Sequence, residues 1–236
     1  MRLPFLLKGF KMPEINYIGT VHTDFPDKFG VPRQSNVVKS LTGKISFNPP
    51  YNQPEAFHGL EGFDRVWILF RFHRAERDNF CATVKPPRLG GNTPVGVFAT
   101  RSPFRPNSIG MTCAKIDKIE YGEDGAVLYV SGIDLVDGTP VVDIKPYLSY
   151  ADSYPDAKSG FTANLEEREM EVVIPDNLMA KVTEDKRECL IETLSRDPRP
   201  GYKRDDNSEY GMFFLDLNIR FRYQDDIITV TDISKA

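Results

Sequence analysis

The densest grouping of side chains able to do chemistry runs from Thr100 to Ser108, Thr-Arg-Ser-Pro-Phe-Arg-Pro-Asn-Ser. Two guanidiniums, Arg101 and Arg105, stand there among hydroxyl and amide groups. Pro103 and Pro106 each fix φ and remove a backbone donor, which excludes helix and central strand. The segment is therefore a stiffened loop that holds its donors in place. Arginine offers a planar fork of N–H groups suited to carboxylate or phosphate, so the chemistry expected is recognition of an anionic or polar ligand. The bland reading is a proline-rich turn with solvated arginines. Polar residues recur at comparable places: Arg33 and Gln34 in a loop, His73 and Arg74 after an apolar run, Asp134 and Asp137 after another, then Lys145 and Tyr147. Each has a plain alternative. His73 reads more readily as a satisfied rim histidine than as a catalytic one, and Asp137 before Gly138 as a turn residue.

The elements that must carry these residues read as strands. Ile15–Val21 is strand-like, and Val37–Phe47 alternates apolar and polar residues, as a strand or bent strand pair does. Phe63–Phe72 (FDRVWILFRF) is the most apolar run, and its β-branched and aromatic content favours a buried strand. Val97–Ala99 reads as a short strand entering the central loop, and Met111–Ile119 and Ala126–Leu135 as a pair joined by a turn at 121–125. Proline- and glycine-rich connectors separate them at 23–34, 48–54 and 85–92. No useful helix is expected before about residue 155. The class is mainly β, with an N-terminal barrel or sandwich over 12–155. On a barrel, strand ends at one rim converge, so the polar set could line one cavity.

After a small, polar stretch at 149–163 the chain changes character. Glu167–Ile174 reads as a strand, Asp176–Ala180 as a turn and Thr183–Ser195 as a helix, which Asp197-Pro198-Arg199-Pro200-Gly201 stops. Phe213–Phe221 and Asp226–Val230 read as a hairpin. The expectation is a small α+β C-terminal domain over 164–236. Residues 1–11 read as an extension, with Met12 a candidate functional start.

At 236 residues, 40% apolar and 27% charged, the composition is that of an ordinary globular chain. Cys81, Cys113 and Cys189 have no CxxC spacing, which fits a reducing, cytoplasmic setting. His22, His58 and His73 lack metal-ligand spacing, so no metal is expected. No run is long enough to cross a bilayer as a helix. The net charge of −4 argues against nucleic-acid binding by the whole surface and leaves room for a local basic face. Dinucleotide-binding, P-loop, GxSxG and HExxH signatures are absent.

Several blocks together resemble the TsaA/TrmO family: GVPRQ (30–34), GLEGFDRVWILFRFH (59–73), KPPRLGGN (85–92), GVFATRSPFRPNSIGM (96–111), DLVDGTPVVDIKPYLSYADS (134–153) and DPRPGY (197–202). The resemblance implies a β-barrel that binds S-adenosyl-L-methionine without a Rossmann domain, with a small C-terminal domain as here. It implies methylation of the exocyclic amine of threonylcarbamoyl-adenosine beside the tRNA anticodon, by a homodimer. Carried over by motif, cofactor contacts fall on Pro32, Arg33, Gln34, His73, Arg74, Arg101, Met111 and the strand Ser131, Gly132, Ile133, Asp134. Many bacterial members have Gln where this chain has Arg74, and Pro where it has Ser108. Arg74 would set a cation near a sulfonium unless it faces a carboxylate or RNA.

Methyl transfer to a conjugated nitrogen needs alignment and a proton acceptor. Asp137 is the candidate acceptor, with Lys145 or Tyr147 orienting the threonyl carboxylate or carbamoyl oxygen. Lys85, Arg88, Arg105, Arg199 and Lys203 are candidate contacts to the RNA. Two other classes stay open: a non-catalytic barrel binding S-adenosylmethionine or RNA, and a small-molecule methyltransferase.

Overall fold

A computed structural model describes residues 14–75, 79–163, 169–199 and 208–236. Six of the strands close into a barrel: β1 (Gly19–Thr23), β2 (Thr42–Phe47), β3 (Arg65–Arg71), β6 (Ile109–Gly122), β7 (Gly125–Ser131) and β8 (Thr139–Pro146). Their order around the wall is β1-β2-β7-β6-β3-β8, and β8 returns antiparallel to β1 through Gly19↔Val141. Among the described residues the tiny strands β4 (Thr83–Val84) and β5 (Val95–Gly96) pair only with each other. Helix α1 (Ser149–Asp152) is a single turn.

The apolar run expected to be a buried strand is β3, and its two faces differ. Val66, Ile68 and Phe70 point inward and are at most 5% exposed. Trp67 and Leu69 point outward and remain half-buried. They pair in register with Cys113 and Met111 of β6. A continuous apolar run here means an interior on one side and a half-buried outer wall on the other.

Four local expectations change, the first being that the strand expected over Ala126–Leu135 ends at Ser131, where Gly132 takes φ 69°. Val97–Ala99 is a 3-10 turn instead of a strand: Val97 is buried while Phe98 stands out. The strand expected over 37–47 begins only at Thr42, because Asn36, at φ 62°, opens a turn. The hairpin expected over 213–230 is a three-strand meander: β10 (Tyr210–Phe214), β11 (Leu217–Gln224) and β12 (Ile227–Lys235). Leu215, at φ 56°, breaks what reads in sequence as one apolar strand.

The C-terminal part is α+β. Its sheet runs β10-β11-β12-β9, with β9 (Glu171–Val173) parallel to β12. Helices α2 (Asp176–Met179) and α3 (Glu184–Ser195) accompany it. On α3, Cys189, Leu190, Thr193 and Leu194 are buried, while Ile191 is 41% exposed.

This part grips the long connection between β1 and β2. The Glu192 carboxylate accepts hydrogen bonds from Lys39 N at 2.8 Å, Ser40 N at 3.0 Å and the Ser40 hydroxyl. Lys186 Nζ lies 2.6 Å from Asp24 Oδ2, and both side chains are largely shielded from water. Leu215 N donates to Asp24 O at 2.7 Å. A side chain at Gly30 (φ 97°) would meet Met212 Sδ at 2.9 Å, so glycine allows the loop to press on the C-terminal sheet. The connection clamped in this way also carries Pro32–Gln34.

Candidate active site

A pocket of about 750 Å³ opens at the barrel wall. The 30–35 loop forms one side, the residues after β3 another, and the central loop a third; the outward face of β3 and β6 forms the floor. Of the expected cofactor contacts, Pro32, Arg33, Gln34, His73, Arg74, Arg101, Met111 and Asp134 line it. Ser131, Gly132 and Ile133 do not: the Ser131 hydroxyl donates to Asp117 Oδ1 at 2.9 Å, and Ile133 is 1% exposed in the core.

Cross-links hold the walls together. Arg101 Nη1 donates to Gln34 Oε1 at 2.6 Å, joining the central loop to the 30–35 loop. Arg33 Nη2 donates to the carbonyls of Arg199 and Asp197, joining that loop to the C-terminal part. The central loop braces itself. Thr100 Oγ1 donates to Val97 O at 2.9 Å, Ser102 N to Thr100 Oγ1 at 3.3 Å, and Phe104 N to Ser102 Oγ at 3.2 Å. Arg105 Nη1 donates to Thr100 O at 2.7 Å. The hydroxyl-rich sequence thus serves to satisfy backbone that prolines cannot pair. At the floor, a side chain on Gly110 would sit 2.3 Å from the Phe70 ring, so only glycine lets this strand cover it.

Asp134 is the carboxylate within the pocket. Its Oδ1 accepts a hydrogen bond from Thr112 Oγ1 at 2.5 Å. Burial pushes its pKa above the usual carboxylate value, although the Thr112 bond and the charge of Arg101 act in the opposite direction. Thr112 was passed over in the sequence. Its only signal is the alternation of β6, which places its buried hydroxyl beside Asp134.

The remaining candidates, Arg105 apart, lie elsewhere. Asp137 is outside the pocket lining, its Oδ1 accepting from Thr23 N at 3.2 Å and lying 3.5 Å from His22 Nδ1. Lys145 pairs with Asp143 at 2.7 Å on the exposed surface. Tyr147 rests near Trp67, with ring centroids 6.0 Å apart. Arg105 lines the pocket, Lys85 is exposed, and Arg88 lies in the 3-10 turn Pro87–Leu89. Arg199 is 1% exposed, bonded to the Asp197 carboxylate at 2.8 and 3.0 Å and stacked over Tyr223 at 3.5 Å. Lys203 lies outside the described residues.

The profile of the tRNA-methyltransferase O N-terminal domain matches residues 20–153, and that of the TrmO C-terminal domain matches 167–236. The chain belongs to the TrmO family. It is 41% identical to the tRNA (adenine(37)-N6)-methyltransferase of Escherichia coli over 220 residues, covering 90% of this chain and 94% of that protein. It is 38% identical to a putative S-adenosylmethionine-dependent methyltransferase, RcsF, of Pseudomonas aeruginosa, covering 93% and 97%. A crystal structure of TrmO from P. aeruginosa superposes with a TM-score of 0.77 at 33% identity, covering 96% of this chain and 99% of that one. The barrel and the α+β tail are thus both features of the family.

The donor set fits S-adenosylmethionine. Arg101 and Gln34 suit a carboxylate, Asp134 suits an ammonium or a ribose diol, and Pro32, Phe72 and Leu135 supply apolar faces for a purine. Arg74 has a carboxylate beside its charge: its guanidinium donates to Pro26 O and lies 3.9 Å from Asp27 Oδ1. Among the described residues no group of three or more His, Cys, Asp or Glu side chains could hold a metal ion.

Proposed function

We propose that this chain methylates the N6 nitrogen of an adenosine in tRNA, with S-adenosyl-L-methionine as donor. The relatives named tRNA (adenine(37)-N6)-methyltransferase support the class of reaction. The observation that carries it is the single pocket in which Arg101, Gln34, His73 and Asp134 converge from separate loops. The finer substrate we infer is threonylcarbamoyl-adenosine beside the anticodon, whose carboxylate suits an arginine fork. A cytoplasmic homodimer belongs to the same proposal.

S-adenosylmethionine supplies, when bound, a methyl group already activated on sulfonium. The work left to the chain is positioning. The Arg101–Gln34 link fixes two walls relative to each other, and the braced central loop keeps Arg105 at the rim. Alignment of this kind supplies several kcal/mol of a displacement barrier. The nitrogen must also shed a proton. Asp137 is one acceptor and Asp134 the other: Asp134 lines the pocket, and burial raises its proton affinity. Asp→Asn at each position separates them when turnover is read at saturating cofactor, since the acceptor is the one whose loss abolishes methyl transfer there.

The test is methyl transfer from labelled S-adenosylmethionine to total tRNA from cells lacking this protein. Nucleoside analysis should find the label on threonylcarbamoyl-adenosine, and tRNA lacking that group should take up none. Equal labelling of both tRNA pools defeats the finer substrate. Labelling of neither defeats the reaction.

A further inference from the structure

A pair of exposed phenylalanines stands at the lip of the pocket, unused by the reading above. Phe98 is 72% exposed and Phe80 61%. Their rings lie against each other, with centroids 6.4 Å apart and planes 27° apart. The segments that bear the rings are tied down. Val97, 1% exposed, anchors the turn, and its N–H donates to Ala82 O at 2.9 Å. The β4–β5 pairs Thr83↔Gly96 and Val84↔Val95 tie the two ring-bearing segments together. Presenting apolar rings to water in a fixed arrangement works against folding, and such patches mark interaction sites.

Arg105 joins this pair to the pocket. Its guanidinium carbon is 5.8 Å from the Phe98 centroid, while its side chain also lines the cavity. The sequence that follows Asp78 is one-sided in charge. From Asn79 to Ile116 the chain has no Asp or Glu, although its net charge is −4. The same stretch carries Lys85, Arg88, Arg101 and Arg105, besides Lys115, which lies 3.7 Å from Asp117. An apolar protein partner requires no such bias. A single strand with planar bases and a phosphate backbone calls for both aromatic rings and a run of cations.

We propose that Phe80 and Phe98 form a stacking platform for an unpaired RNA base next to the nucleotide that enters the pocket. The proposal rests on the tRNA reading. Phenyl rings have no donor or acceptor, so the platform accepts any base, and sequence preference arises in the pocket instead. Arg105, between the rings and the cavity, sets the step from the stacked base to the inserted one.

The experiment uses the full-length protein and an anticodon stem-loop, intact or with an abasic site at one position flanking the target adenosine. Phe98→Ala should weaken binding of the intact stem-loop about ten- to a hundred-fold, and Phe98→Trp should retain it. Phe80→Ala should weaken it in the same direction. The abasic site should weaken wild-type binding by a similar factor and weaken Phe98→Ala no further. Swapping the flanking base for any other should change affinity little. Calorimetric affinity for S-adenosylmethionine and the thermal midpoint should stay at wild-type values. Unchanged stem-loop affinity in Phe98→Ala overturns the proposal, as do fully additive effects of variant and abasic site. Light scattering that shows Phe98→Ala breaking a dimer also overturns it, because the rings then belong to an interface between copies. A wild-type chain that does not bind the intact stem-loop defeats the tRNA reading itself.

Discussion

Replacing Glu192 with alanine should loosen the pocket from a distance. Glu192 sits on α3, and its carboxylate accepts from Lys39 N, Ser40 N and the Ser40 hydroxyl. Those donors belong to the β1–β2 connection, which also carries Pro32–Gln34 into the pocket wall. A hydrogen bond to a charged group is worth about 1.5–3 kcal/mol when shielded, and less where water can replace it. Lys39 is exposed and Ser40 half-buried, so we expect about 2–3 kcal/mol in total rather than the full sum. For a chain of this length that corresponds to a fall in Tm of about 4–12 °C. Glu192→Gln keeps one acceptor oxygen and should lose roughly half as much. Burial opposes ionisation of Glu192, but its bonds to Ser40 and Lys39 prevail and its pKa is lowered. A lowered carboxylate pKa contributes stability above the unfolded-state value and loses it as pH falls through the folded one. The gap between wild type and Glu192→Ala should therefore be constant near neutrality and close under acid. Calorimetric scans across pH, with S-adenosylmethionine affinity measured in parallel, test the chain of reasoning. A gap below about 0.5 kcal/mol refutes the clamp, given that the expected loss is several times larger. A normal gap with unchanged cofactor affinity refutes the link from clamp to pocket.

Other perturbations separate structural from functional roles. Asp134→Asn should weaken S-adenosylmethionine binding at least ten-fold without lowering Tm. Burial raises the Asp134 pKa, so the wild type loses stability as pH rises from the unfolded carboxylate value through the folded one, and the asparagine variant should hold its Tm across that window. Gly110→Ala drives a methyl into the Phe70 ring and should cost about 1–3 kcal/mol, read as a drop in the urea midpoint. Arg199→Ala should cost about 3 kcal/mol, because it leaves the Asp197 carboxylate without its buried partner. The salt dependence of its tRNA binding should keep the wild-type slope, whereas Lys85→Ala should lower that slope by about one.

Much of the barrel was legible because its signals are local. The run at 63–72 and the paired runs around the 121–125 turn have strand character whatever surrounds them, and the resulting β3, β6 and β7 lie where those patterns sit. Prolines marked the central loop as irregular, and its side-chain bonds to its own backbone follow from the same residues. Errors arose where backbone conformation departs from what composition suggests. The left-handed Leu215 splits an apolar stretch into two strands, and the turn at 97–99 exposes a phenylalanine that reads as part of a strand.

The alternation of residue types by itself determined a mainly β chain, barrel or sandwich, followed by an α+β tail, since hydrophobic periodicity is written along the chain; the choice of a barrel came from the family resemblance. Only the tertiary structure decided which polar residues meet. Asp134 and Asp137 are near neighbours in sequence, yet one faces the pocket with Thr112 and the other lies outside it, bonded to Thr23 N. Arg105 and Arg199 are both arginines beside prolines, yet one lines the pocket and the other is buried against Tyr223. Barrel closure and the docking of α3 on the β1–β2 connection make these choices. Both bring together segments distant in sequence, and composition carries no record of where such segments touch.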